Sequence, residues 1–455
     1  MRYDPPIREV AEERPLLADR RFASLWLSQG LAQTAQNALL FSLLIVILDI
    51  TGSSLHTSLL VFSFILPSIP LGMVVGVMLD RLRKGPVLVA SSLLRAGACL
   101  LFFFFHSNEW IIYGISVGFA TSGLFFNPSV VSLIPALVPR NRLVQANGLY
   151  NFTMTGSQLM GIVFIAPILL KSGGEEAMFL AGIVLFVLAA AFALGVRNIR
   201  EEHEPRLPQE PLFGSIPDKF RESWRMLVSD RVSLLALSQL IVSSTLVLLF
   251  AMLIPRYMTD TLEISPDNAA FVFAPTGVGA LIGLRFLPNL ARKGKNRVVI
   301  MGLAGIAICL ALLALVEPLA EFTEQAPGPL DPTRFLRISL LQALTMAIAG
   351  PMGFAYALLN APAQTILHER APAQMRGRIF ATQVVSANFI SLLPLLIIGI
   401  VTDWTGITVV LLLIAALVAA MAMVSRRLSQ HEPSPPVSAP REETPTSVDT
   451  PGGLG

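Results

Sequence analysis

Stretches of about 20 apolar residues recur along the chain between short polar connections, each long enough to cross a hydrocarbon core of about 30 Å as a helix. Twelve such spans begin near Phe22, Thr57, Val87, Ile111, Leu143, Ala177, Val232, Ala269, Val298, Ile338, Ile379 and Ile407. The pattern predicts an all-α integral membrane protein. Within the apolar runs, some polar positions keep helical spacing. Span 1 carries Gln29, Gln33 and Gln36 at i, i+4 and i+7, with Asn37 adjacent, and span 5 carries Asn147, Asn151, Thr155 and Gln158 on one face. Side chains at that spacing form a single stripe. Amides in hydrocarbon cost several kcal/mol unless they meet water or a polar partner, so two stripes facing lipid are not expected.

The pattern also repeats. LSQ at 27–29 returns at 237–239, RKG at 83–85 returns at 292–294, and Cys99 returns as Cys309, all at offsets of 209 or 210. Pro128 and Pro139 match Pro362 and Pro372 at a larger offset, and the extra connection 317–334 accounts for the growth. The organisation expected is an N-terminal segment (1–21), a six-span bundle (22–196), a linker (197–231), a second six-span bundle (232–427) and a disordered tail rich in Pro, Ser and Thr (428–455). In the linker, Phe220, Trp224 and Leu227 share one face among basic residues, which favours an amphipathic helix in the membrane interface over a plain soluble one.

Composition agrees: 54% of the 455 residues are hydrophobic and 14% charged, and the mean hydropathy is +0.67. The net charge of +3 says little, but its placement says more. Connections after even-numbered spans, with both termini, hold 27 of the 33 Lys and Arg residues. Connections after odd-numbered spans hold Lys171, Arg256, Arg334 and Arg337. The positive-inside bias therefore puts both termini in the cytoplasm of a multi-pass cell-membrane protein. The polar, acid-containing first 20 residues do not read as a cleavable signal peptide. The two cysteines lie inside spans and read as small core residues, so no disulfide framework is expected. No His/Cys spacing suits a metal, and no cofactor is called for.

The densest charge cluster is GVMLDRLRKG, 76–85, between spans 2 and 3. It resembles the signature of the major facilitator superfamily through Gly76, Asp80, Arg81, Arg83, Lys84 and Gly85, with the glycine expected after Leu82 displaced to position 85. The resemblance implies two six-helix bundles around a central path and a cytoplasmic latch in which Asp80 and its basic neighbours hold the halves together. A carboxylate suits the positive end of a helix, here that of span 11. The second half carries RFLPNLARKG, 285–294, where Arg285 replaces Gly76 and Asn289 replaces Asp80, so the first copy is expected to dominate. RFASLWLSQG (21–30) and FFNPSVVSLIPALVPRNRLVQANGLYN (125–151) are similar to the siderophore- and drug-exporting branch that includes the enterobactin exporter. Span 4 departs from proton-antiport exporters in carrying no Arg.

The resemblance makes the stripes candidate pathway residues: Gln29, Gln33 and Gln36; Asn147, Asn151 and Gln158; Gln239, Ser243 and Ser244; Tyr356 and Asn360; Gln383 and Ser386. The alternative for each is interhelical bonding. Gly72/Gly76, Gly114/Gly118 and Gly279/Gly283 read as close-packing pairs. No acid lies deep in a span, which leaves Asp80, Asp49, protonation of the substrate, or no coupling ion at all. Arg95 is the charged exception. Snorkelling or pairing with Asp80 is favoured over binding an anionic substrate. Arg285, near a span end, reads as a snorkelling or latch residue.

The expectation is a secondary transporter, monomeric in the bilayer, that exports a small amphipathic, siderophore-like or drug-like molecule. An importer or facilitator of an uncharged polar solute is the alternative. A membrane enzyme would need clustered acid–base or metal-binding groups, and the loops offer only scattered His56, His106, Glu109 and Asp403. No feature calls for nucleic acid, and no folded soluble domain supports a receptor.

Overall fold

The computed structural model describes residues 15–139, 142–198, 216–292, 294–324, 339–370 and 376–429. The side chains of Gly76, Asp80, Arg81, Asn147, Asn151, Thr155 and Phe220 fall outside the description, as do residues 430–455 of the tail expected at 428–455; 428 and 429 end the last helix instead. The described residues are helical throughout, with no strand among them.

Among the described residues, eleven helices are long and apolar enough to cross a membrane. Span 1 is Arg20–Thr51; span 2 is Ser54–Ile65 and Ser68–Arg81, broken at Pro67; span 3 is Lys84–Phe105 and span 4 Glu109–Leu137. Span 7 is Arg231–Asp260, span 8 Ala269–Ala291, span 9 Lys295–Ala314, span 10 Leu340–Arg370, span 11 Arg376–Thr405 and span 12 Ile407–Ser429. Spans 5 and 6 depart from a simple pair of rods. Span 5 starts as Leu143–Leu159, widens into a π segment at Met160–Ile165, and runs on into a helix, Ala166–Leu194. That helix breaks at Gly173 and at Gly174 (φ 67°), which turns the chain back as span 6. Span 5 is the twelfth crossing: its α-helix, Leu143–Leu159, has 17 residues before the π segment and so is shorter than the other eleven.

Caps set the ends. The Asp19 carboxylate accepts from the Arg21 and Phe22 amides at 2.8 and 3.0 Å, and Asn108 does the same for span 4 at 3.0 and 3.2 Å. Asp230 caps span 7 through Ser233; burial alone would raise its pKa, but the Ser233 hydroxyl and amide and nearby Arg370 hold it below the ordinary value. Gly52, at φ 63°, closes span 1 in the left-handed region.

Packing respects the sequence repeat. Span 3 lies against spans 4 and 6, and span 9 against spans 10 and 12. Cys99 is fully buried facing Gly182 of span 6, as a small core residue should be. The linker helix, Ile216–Ser229, corrects one expectation: it packs on spans 7 and 11, with Leu227 buried and Trp224 against the core. Leu227 and Trp224 are spent on protein rather than on lipid.

Candidate functional site

The halves meet along spans 2 and 11, which run antiparallel in a steady register. Ser54 meets Asp403; a Cβ on Gly399 would overlap the Ser58 hydroxyl; Asn388 Nδ2 donates to Ser68 Oγ at 2.9 Å; and a Cβ on Gly72 would lie 3.4 Å from Val385 Cγ2. Each step of four along span 2 thus meets about four residues back along span 11. Small residues at 54, 58, 68, 72 and 399 let the backbones approach.

At the end away from the basic loops, called here the far end, the seam closes on one carboxylate. Asp403 accepts from the Ser54 amide at 2.8 Å, the Leu55 amide at 3.1 Å, the Ser53 hydroxyl at 2.6 Å and Arg256 Nη1 at 2.9 Å. Ser53 precedes the span 2 helix but makes no side-chain cap of its own. Span 11 of the other half supplies that cap. Arg256 of span 7 ties in a third element, donating also to the Gly52 carbonyl at 3.2 Å and to Asp260 at 2.7 Å. Lys171 Nζ donates to Asn268 Oδ1 at 2.5 Å, a second far-end bridge between halves. Sequence reasoning passed over this cluster. Asp403 read as a scattered loop acid and Arg256 as one of four stray bases, though an acid and a base at two span ends on a charge-poor side were the available signal.

The predicted lining residues divide. Gln29 and Gln33 are buried, and Gln29 Nε2 and Gln33 Oε1 have no hydrogen-bond partner among the described residues; Gln36 is half-buried. On span 11, Gln383 and Ser386 are buried with Gln383 Oε1 and Ser386 Oγ equally unpartnered. Ser243 donates to Asn360 at 3.3 Å, joining spans 7 and 10, with Tyr356 half-buried on the same helix as Asn360. Gln239 goes elsewhere: it is wholly buried and donates to Ser425 of span 12 at 3.2 Å, inside the second bundle. Its place is an interhelical bond. Gln158 is exposed, and the face of span 5 that meets span 1 is instead Thr153, which accepts from Trp26 at 2.6 Å, and Ser157, which donates to Gly30 at 3.1 Å. Among the described residues, no three His, Cys, Asp or Glu lie close enough to hold a metal.

A model of the Major Facilitator Superfamily matches residues 25–327. The chain belongs to the major facilitator superfamily. It is 26% identical over 422 residues to YjbB of Bacillus subtilis (strain 168), an MFS-type transporter, covering 88% of this chain and 93% of that one. It is 20% identical over 373 residues to the multidrug efflux pump Tap of Mycolicibacterium fortuitum, covering 80% and 84%. In fold it is similar to the nucleoside transporter NupG, with a TM-score of 0.66 at 13% identity over 90% of this chain and 100% of that one. An auto-inhibited POT-family peptide transporter gives 0.69 at 13% over 92% and 99%.

Two other sequence expectations for this facilitator change. Arg95 neither snorkels nor faces lipid: it is 1% exposed, and its guanidinium lies 5.2–5.7 Å from the ring centres of Phe119, Phe126 and Phe186. Nε and Nη1 have no hydrogen-bond partner among the described residues, and Nη2 sits where a Gly123 side chain would be. Phe102 and Phe126 are fully buried in the same core. Three ring contacts at about 0.5–2 kcal/mol each offset a desolvation cost of several kcal/mol. Arg95→Met is therefore expected to hold stability within about 1 kcal/mol. A melting temperature lower by more than about 5 °C would show that the cage holds the fold together. Arg285 is exposed among exposed apolar residues, which suits snorkelling. Among the described residues, a Cβ on Gly114 or Gly118 would meet no neighbouring element within 4 Å, so these glycines line an open groove between spans 3 and 4 rather than a close contact.

Proposed function

We propose that this secondary transporter exports a small amphipathic, siderophore-like or drug-like molecule by rocking two six-helix halves about the seam of spans 2 and 11. The observation that carries the reading is the seam itself, a polar, glycine-lined contact between halves that ends on an inter-half helix cap. Continuing its register toward the basic end brings Asp80 to the first turn of span 11. The two latches are then reciprocal: Asp80 at the end of span 2 holds the start of span 11, and Asp403 at the end of span 11 holds the start of span 2. Making one and breaking the other would select the open face. The charge bias supports a cytoplasmic Asp80 latch, with Gly76, Arg81, Arg83, Lys84 and Gly85, in a protein read as a cell-membrane monomer. The unpartnered amides of Gln29, Gln33 and Gln383 line the path, with Gln36, Asn147, Asn151, Tyr356 and Asn360. A coupling proton, if one is used, falls to Asp80, Asp49 or the substrate.

The direction rests on the resemblance of 21–30 and 125–151 to siderophore and drug exporters, and on the likeness to Tap. The same buried amides favour import of an uncharged polar solute as the second reading. Purified protein reconstituted in vesicles and offered amphipathic dyes, siderophores and neutral polar solutes decides between them. Export predicts saturable movement of the amphipathic compounds from the cytoplasmic face, slowed at least about tenfold in folded Asp80→Asn, the cost of one charge-assisted latch. Movement of neutral solutes alone would establish the second reading. Equal flux in wild type and Asp80→Asn would remove the latch.

A further inference from the structure

A cavity of about 980 Å³ opens at the basic end of the second bundle, between spans 7, 9, 10 and 12. Among the described residues, none of the first half lines it, so it is separate from the seam. Lys295, Arg297, Arg370 and Arg426 stand on its walls against one lining carboxylate, Glu369, which Lys295 already engages at 2.5 and 2.6 Å. Arg370 also lies 4.0 Å from Asp230. Lys295, Asn296 and Arg297 are the first turn of span 9, whose leading amides have no acceptor within the helix. Below the charges the walls turn apolar at Val232, Ile300, Met301 and Ile366, and Met301 is exposed on the outside of the bundle.

The internal repeat shows that this space is particular to the second half. RKG precedes or opens the helix in both halves. In the first, Gly85 is pressed against the end of span 6: a Cβ there would lie 2.7 Å from Arg197 Cα and from the Val196 carbonyl oxygen. In the second, Gly294 takes φ 112°, and among the described residues a Cβ there would meet only the Arg297 side chain within 4 Å. Among the described residues, the end of span 12, the repeat partner of span 6, sets no backbone within 4 Å of a Cβ at the matching position.

We propose that this cavity binds an anionic phospholipid from the adjoining leaflet, with the headgroup phosphate among Lys295, Arg297, Arg370 and the start of span 9 and an acyl chain along Ile300 and Met301. Charge complementarity selects the headgroup, and an apolar floor continuous with the lipid-facing surface selects a lipid over a soluble anion.

The test is native mass spectrometry of the full-length protein in detergent, titrated with phosphatidylglycerol, phosphatidylcholine or inorganic phosphate. Each cation near an anionic surface contributes roughly fivefold, so R297Q/R370Q is expected to weaken phosphatidylglycerol binding about twenty-five-fold. R20Q/R21Q, which removes equal charge elsewhere on the basic end, should leave it within about twofold. The lipid preference of the wild-type protein is an independent readout should the double variant fold poorly. Equal binding of both lipids, equal loss in both double variants, or inorganic phosphate displacing phosphatidylglycerol completely would each overturn the assignment.

Discussion

Asp403→Ala is expected to open the far end of the seam and shift the conformational balance roughly thirty-fold toward the far-side-open state. The carboxylate accepts from two backbone amides, a hydroxyl and a guanidinium, and every donor but Arg256 belongs to the other half. Losing such a group leaves the first amides of span 2 uncapped and Arg256 short of one partner. Charge-assisted bonds contribute about 1.5–3 kcal/mol, and about 2 kcal/mol corresponds to the thirty-fold shift. The measurement is the labelling rate of a single cysteine at Ser58 by a water-soluble thiol reagent, since Ser58 is buried in the seam and both native cysteines are buried. Arg256→Gln should have the smaller effect, because the amide donors to Asp403 remain. An unchanged labelling rate in Asp403→Ala would mean that the cap does not hold the gate. Both Arg256 and Asp403 are about one-fifth exposed, so the pair alone would contribute little, and the helix cap carries the larger share.

The second large effect is on folding. Gly279→Ala and Gly353→Ala should each cost about 3 kcal/mol or more, because the new Cβ would land on a backbone carbonyl of the facing helix, Gly350 or Thr276 respectively. Backbone in the middle of a long helix cannot give way as a flexible side chain does. Spans 8 and 10 pack more extensively than any other pair, so a shift there spreads through the second bundle. Gly114→Ala supplies the contrast, since among the described residues its new Cβ would meet no neighbouring element within 4 Å, and it should be neutral. Size-exclusion profiles and melting temperatures of the three variants test the pair against the control. Equal behaviour of Gly279→Ala and Gly114→Ala would show that spans 8 and 10 separate readily.

Spacing alone could not tell these glycines apart. Gly114/Gly118 and Gly279/Gly283 share one interval, yet the first pair borders an open groove and the second sits under a neighbouring helix. The same limit applied to the amides. Gln239 and Gln29 occupy repeat-related positions, but one bonds Ser425 and the other leaves Nε2 unpartnered. For Arg95, depth in the span was legible, whereas the three phenylalanines that enclose it come from spans 4 and 6.

By itself the sequence determined that this is a bundle of membrane helices built from a repeated unit, because the bilayer imposes a length and an apolarity that can be read one segment at a time. It also determined the motif at Asp80 and the linker helix, both of which are local patterns. Only the tertiary structure decided which face of each helix meets protein, which glycines are crowded, and that Asp403 caps a helix 349 residues away in the chain. The reason is physical: hydropathy is a property of one segment against its solvent, whereas a cap, a cage or a seam depends on the rotation and register of two segments against each other.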